Sequence, residues 1–245
     1  MKAFLNHVRI QLAMDFRNKG VLLTFYIIPV LFYLVMGAVF SSIQPDNKTL
    51  GAAMTIFGVL MGAVLGLSLV LIQMRETGAI KSLRVNGVPG WSVLFSRFVS
   101  AFINLLIVSV IILYTAPALF GTGMPINYGA YFGTLLLLIF NCIALGILIG
   151  VAAKSQSMAT MLGQVIFLPS ILIGGIMFPA TMLPESMQWI GRLFPATHAM
   201  QAFTGWSFGL ETQIDPFASI IVIAAIGVGA FAAAVLLFRR ISVSQ

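Results

Sequence analysis

Leu50–Met74 reads LGAAMTIFGVLMGAVLGLSLVLIQM, a run with no charged residue. About 20 predominantly apolar residues, wound as a helix, cross the hydrocarbon core of a bilayer. In lipid a helix satisfies its own backbone hydrogen bonds, so helix is the conformation expected of the whole run. Five more stretches of the same kind cover Gly20–Ser42, Leu94–Phe120, Tyr128–Ala153, Met158–Phe178 and Phe217–Phe238. The sequence therefore predicts an all-α membrane protein with six transmembrane helices, forming one transmembrane domain over 1–245.

Composition points the same way. Apolar residues make up 60% of the chain and charged residues only 8%, with a mean hydropathy of +1.07. Soluble domains carry about 25% charged residues. A net charge of +7 is explained by basic residues at helix ends, not by a nucleic-acid surface. Six spans put both termini on one side. Lys2, Arg9, Arg17, Lys19, Arg75, Lys81, Arg84, Arg97, Lys154, Arg239 and Arg240 share that side, and Lys48 and Arg192 lie on the other with four of the six acids. The positive-inside rule then predicts cytoplasmic termini in a multi-pass protein of the cell membrane. Asp15 interrupts the N-terminal region and no small-residue cleavage site follows a short apolar core, so the first span is expected to stay in the mature protein. The lone Cys142 excludes an intrachain disulfide and reads as a small buried hydrophobe.

Three segments outside the spans stand out. In residues 1–19, Leu5, Val8, Leu12 and Phe16 share a helical face, while His7, Gln11, Arg17 and Asn18 fall elsewhere. This is the pattern of an amphipathic interfacial helix, either a simple anchor or a lever touching a partner. In the loop over 75–93, Glu76 and Thr77 open a short helix and Ile80, Leu83 and Val85 supply apolar contacts. Asn86-Gly87 and Pro89-Gly90 supply the turn that ends it. Its mixed charge favours a partner-docking element over a passive basic loop. Over 179–216, Leu183, Met187, Ile190 and Phe194 oppose Glu185, Gln188 and Arg192, with Pro184 near a helix start and Pro195 interrupting the pattern. A short helix in the outer interface, or dipping back into the membrane, is expected there, with Trp189 and Trp206 as interfacial anchors.

Motifs for chemistry are few. No Gly-x-x-x-x-Gly-Lys-Ser/Thr phosphate loop occurs, so nucleotide is not expected to bind in that mode. His7 and His198 are isolated on opposite sides, which argues against a metal site. No Asp, Glu, Lys or Arg lies well away from a span end, which argues against proton or sodium coupling. Asn104, Asn141 and Gln164 lie within spans, either as interhelical hydrogen-bonding residues or as contacts along a pathway. Gly58, Gly62 and Gly66 share a face of the second span, and Gly146 and Gly150 repeat the spacing in the fourth. Such faces let backbones approach closely, within one subunit or at a dimer seam. Pro29 and Pro169 predict kinks in the first and fifth spans.

The order of these features resembles the ABC-2 type transporter permeases. The resemblance rests on the N-terminal amphipathic helix, the six spans, the loop opening with Glu76-Thr77-Gly78, and the stretch from Gly174 through Phe178-Pro179 and Leu183-Pro184 to Phe194-Pro195. It covers nearly the whole chain. It implies half of an exporter, in which a second permease copy or paralogue pairs with this one and each docks a cytoplasmic ATP-binding cassette ATPase. By the same resemblance the loop is the coupling element, with Glu76, Gly78, Ile80, Leu83, Arg84 and Pro89 as its working residues. ATP and Mg are then expected on the partner, with no cofactor and no enzymatic activity in this chain. Efflux of a drug, antibiotic or lipid-like molecule is the function implied, of the kind that gives multidrug or antibiotic resistance. The alternatives are haem or polysaccharide export, or a membrane carrier or scaffold without an ATPase.

Overall fold

Helix is the only regular structure among the residues described by the computed structural model, which are 11–43, 48–79, 85 and 90–243. Six helices are long and apolar enough to cross a membrane: Lys19–Ile43, Leu50–Glu76, Ser92–Phe120, Tyr128–Ala152, Gln156–Ile173 and Pro216–Phe238. Five match the sequence expectation within about two residues. The fifth ends at Ile173, short of the expected Phe178, because the chain turns at Gly174-Gly175. A side chain on Gly174 would meet the Ser170 carbonyl, and Gly175 adopts a φ of +78° that disfavours any other residue.

The second and fourth spans form the centre. In the most apolar window of each, 78% and 67% of residues are buried, against 28%, 28% and 22% for the first, fifth and sixth. Outer spans keep one face of large apolar residues exposed, such as Leu31, Val35, Val165, Leu168, Ile221 and Val228. Lipid is as apolar as these faces, so association of the helices rests on close packing and a few polar contacts.

The glycine faces are where that packing is tightest. A Cβ on Gly62 would lie 2.6 Å from Leu105 Cδ2, and one on Gly66 would lie 2.7 Å from Thr24 Cγ2. Gly58 looks toward Ile112 and Pro29. This face therefore packs against the first and third spans. Gly146 and Gly150 lie against the second span itself: a Cβ at 146 would run into the Ala63 carbonyl, and one at 150 would lie 2.9 Å from Leu71 Cβ. A Cβ at any of the five would lie within 4 Å of a neighbouring span of the same chain.

Pro29 has a local consequence in the first span. It cannot donate to the carbonyl four residues earlier, and the turn preceding it, Leu23–Ile27, widens to π-helix. A second π-helical segment, Met61–Leu67, contains Gly62 and Gly66. Phe25 of the first widened turn packs over both glycines of the second. Pro169 lies inside the continuous fifth helix.

Outside the spans, residues 11–17 form a helix that ends at Asn18. The Asn18 side chain accepts from the Gly20 and Val21 amides and caps the first span. In the other long connection, Glu185–Gly191 forms the expected short helix, with Pro184 at its N-cap. Met187, Trp189 and Ile190 are exposed on it, and the Arg192 guanidinium sits 4.0 Å above the Trp189 ring. Pro195 does more than interrupt. It opens a second helix, Pro195–Ala202, which is buried against the bundle and continues as a widened turn to Ser207.

Candidate coupling and translocation sites

The end of the second span is held in place by its last two residues. Arg75 Nη1 donates to the carbonyls of Gly150, Val151 and Ala153 at 3.2, 2.9 and 3.0 Å. These oxygens belong to the last turn of the fourth span and its exit, where carbonyls lack helical partners and a cation is favoured. Glu76 Oε2 accepts from Gln156 Nε2 at 2.6 Å, at the first residue of the fifth span. The base of the 75–93 loop is thus fixed to the turn joining the fourth and fifth spans. Gly78, with a φ of +72° and no atom within reach of a Cβ, closes the second span in the left-handed conformation that glycine adopts freely. Ile80, Leu83, Arg84 and Pro89 lie outside the described residues.

Next to this base is a cluster that sequence reasoning did not identify. Asp15 and Arg97 form a buried ion pair at 2.8 Å, joining the 11–17 helix to the first turns of the third span. Asp15 Oδ1 also accepts from Gln11 Nε2 at 3.0 Å, and Oδ2 accepts from Ser100 Oγ at 2.5 Å. Arg97 Nε reaches Met74 Sδ at 3.2 Å, one residue before Arg75. Three donors surround the carboxylate, which is what a buried charge requires. The helix 11–17 accordingly turns Gln11 and Asp15 inward and leaves Met14 and Phe16 exposed. A signal was present in the sequence: Arg97 falls just inside an apolar run, and a charge at that depth calls for a partner. Reading Arg97 only as a basic flank, and Asp15 only as an interruption of an apolar stretch, kept the two apart. Leu5, His7 and Val8 lie outside the described residues.

The three candidate pathway residues are not brought together. Asn104 Oδ1 accepts from the Tyr26 hydroxyl at 2.7 Å, tying the third span to the first. Asn141 Nδ2 donates to the Ile223 carbonyl at 2.7 Å, tying the fourth to the sixth, where Gly227 lets the two backbones approach. Gln164 is half-buried on the fifth span. None of the three lines the cavity of about 660 Å³ that lies on the side away from the termini. Phe40, Leu50, Ile176 and Met200 give it an apolar lining, Gln201 and Thr204 contribute polar groups, and Lys48 and Glu211 bring one charge of each sign. Its size lies within the range of small-molecule sites.

His198 has a structural role. It is buried on the Pro195–Ala202 helix, with Nε2 donating to the Arg192 carbonyl at 2.8 Å and Nδ1 3.3 Å from Ser219 Oγ. That carbonyl can only accept, which assigns the proton to Nε2. Among the described residues no group of three or more His, Cys, Asp or Glu is placed to hold a metal.

Comparison with known proteins fits this architecture. The chain is 27% identical over 190 residues to a Bacillus subtilis (strain 168) protein named as a transport permease, YvfS, covering 74% of this chain and 76% of that one. It is also 27% identical over 137 residues to ABC transporter G family member 20 of Dictyostelium discoideum, covering 55% of this chain and 18% of that much longer protein. The family profile described as ABC-2 type transporter matches residues 4–208. With six membrane-crossing helices inside and beyond that match, the chain belongs to the ABC-2 type transporter family.

Proposed function

We propose that this chain is the permease subunit of an ATP-driven exporter, paired with a second permease copy or paralogue and driven by a separate ATP-binding cassette ATPase. Family membership supports the transport role, and in this reading ATP and Mg bind to the partner ATPase. The observation that carries the reading is the fixed base of the 75–93 loop. Arg75 and Glu76 bind the loop's first residues to the fourth and fifth spans. A push on the loop would therefore reach those two helices without being lost in a flexible connection. Drug, antibiotic or lipid-like efflux suits the outer cavity, whose apolar lining and mixed charges favour an amphipathic cargo. Both termini, and this loop, are assigned to the cytoplasm.

The test is co-purification of the full-length chain in mild detergent, with mass spectrometry of the associated chains. An ATPase carrying the phosphate-loop motif, together with a second permease, is the expected result. Leu83→Asp should leave the permease in the membrane and release the ATPase, since losing one buried leucine costs ~1.5–3 kcal/mol and weakens docking about tenfold or more. Recovery of the unmodified chain without any ATPase defeats the exporter reading.

A further inference from the structure

A helix that only anchors a protein at the interface turns its polar side to water and its apolar side to lipid. The helix over 11–17 does otherwise. Its acidic residue is inside the protein, held by Arg97 and Ser100 of the third span and by Gln11, four residues earlier on the same helix. Arg97 in turn reaches Met74, adjacent to the Arg75 and Glu76 contacts that fix the loop base. Two segments far apart in sequence therefore meet on one guanidinium.

We infer that Asp15 and Arg97 are positioning residues for coupling: the buried ion pair makes the N-terminal helix and the third span move as one body with the base of the 75–93 loop. The inference rests on the exporter reading above. A buried ion pair is weak evidence for stability, because well-packed apolar residues of similar volume often serve as well. What such a pair adds is a fixed geometry, through directional hydrogen bonds that an apolar contact lacks. The third span starts where the loop ends, and Met74 lies where the loop begins. The pair thus joins both ends of the loop to one lever. Phe16 extends the same contact, its ring 5.8 Å from Tyr26, whose hydroxyl binds Asn104 farther along the third span.

The experiment uses the complete permease–ATPase complex in liposomes and measures ATP hydrolysis relative to the ATPase alone. The double variant Asp15→Leu with Arg97→Met replaces the pair by an apolar contact. It should reach the membrane and bind the ATPase like the unmodified chain, yet lose about tenfold in permease-stimulated hydrolysis, well within the usual range of coupling effects. Arg97→Lys keeps both charges but changes the geometry of the contact, so it serves if the double variant accumulates poorly. The charge exchange Asp15→Arg with Arg97→Asp should recover part of the stimulation. Nitroxide labels at Ala13 and Ile111, with Cys142 replaced by alanine, report whether helix and span move together. Their separation should stay constant between the nucleotide-free and vanadate-trapped complexes, and should vary in the double variant. Full stimulation in the double variant, or in Arg97→Lys where that is used in its place, overturns the inference. So does a change in the unmodified complex as large as one helical turn, ~5.4 Å. If the unmodified chain binds no ATPase at all, the exporter reading fails first and the inference falls with it.

Discussion

Two regions of this protein are packed by opposite means. Around the second span larger groups close onto small residues: Gly62 and Gly66 receive Leu105, Thr24 and Phe25, Gly146 receives the Ala63 carbonyl, and Gly150 receives Leu71 and the Ser68 carbonyl. At the end that carries the termini, the contacts are charged. Arg97 binds Asp15, Arg75 binds three carbonyls, and Glu76 binds Gln156. The first region is built for closeness, and a Cβ added at Gly62, Gly66, Gly146 or Gly150 is a clash. The second is built for direction, and any lost partner leaves a charge or a carbonyl unsatisfied. A transporter needs both, a core that keeps its shape and an end that can receive a push from a defined angle.

The largest effect should come from breaking the charged region at its most buried point. Arg97→Met alone leaves Asp15 without its cation beneath the protein surface, and removal of one partner of such a pair costs about 3–5 kcal/mol. The variant should accumulate poorly and lose its unfolding transition in detergent at temperatures where the unmodified chain stays folded. Adding Asp15→Leu should restore most of that loss. If the single variant is as stable as the double, the carboxylate is not buried as described.

The glycine region can be broken by one methyl group. Gly146→Ala sets a Cβ against the Ala63 carbonyl, and backbone cannot swing aside as a side chain can. Overpacking of this kind costs roughly 1–3 kcal/mol. Gly133→Ala, in the same span but with nothing within 4 Å of its Cβ, should be silent. Thermal unfolding of the two variants side by side measures the difference. Equal midpoints would mean that the fourth span does not press on the second at this depth.

The two regions differed as much in how they could be read. Gly58, Gly62 and Gly66 recur at intervals of four, so a shared face is visible in one short string of letters. The six spans are visible for the same reason, since each is a local run of apolar residues. Even so, the sequence left open whether the glycines face a neighbour in the same chain or a second copy. Asp15 and Arg97 are separated by 82 positions and Glu76 and Gln156 by 80. No periodicity joins such pairs, and only the fold brings them together. The end of the fifth span was misplaced because Gly174–Phe178 is as apolar as the helix before it, and the left-handed turn at Gly175 outweighs hydropathy there. Asn104 and Asn141 were legible as polar residues in lipid-depth helices, but their partners, a tyrosine hydroxyl and a backbone carbonyl, were not.

The smallest effect expected, and the most informative about coupling, is at Arg75. Its guanidinium is only partly buried, and the carbonyls it binds at the end of the fourth span can turn to water when it is removed. Arg75→Gln should therefore cost only about 1 kcal/mol in stability, near the value of an ordinary hydrogen bond. Transport should suffer more, because the loop base would no longer be fixed to the fourth span. Arg75→Lys keeps the charge and the attraction to the helix end, but its ammonium sits on a shorter stem and is more strongly hydrated than the Nη1 that binds all three carbonyls. It should lie between the other two in permease-stimulated ATP hydrolysis. The order Arg, Lys, Gln in stimulation, with unfolding midpoints nearly equal, would show that direction rather than stability is what Arg75 supplies. An order that simply follows the midpoints would reduce Arg75 to a helix cap and leave direction at this end to the Asp15–Arg97 and Glu76–Gln156 contacts.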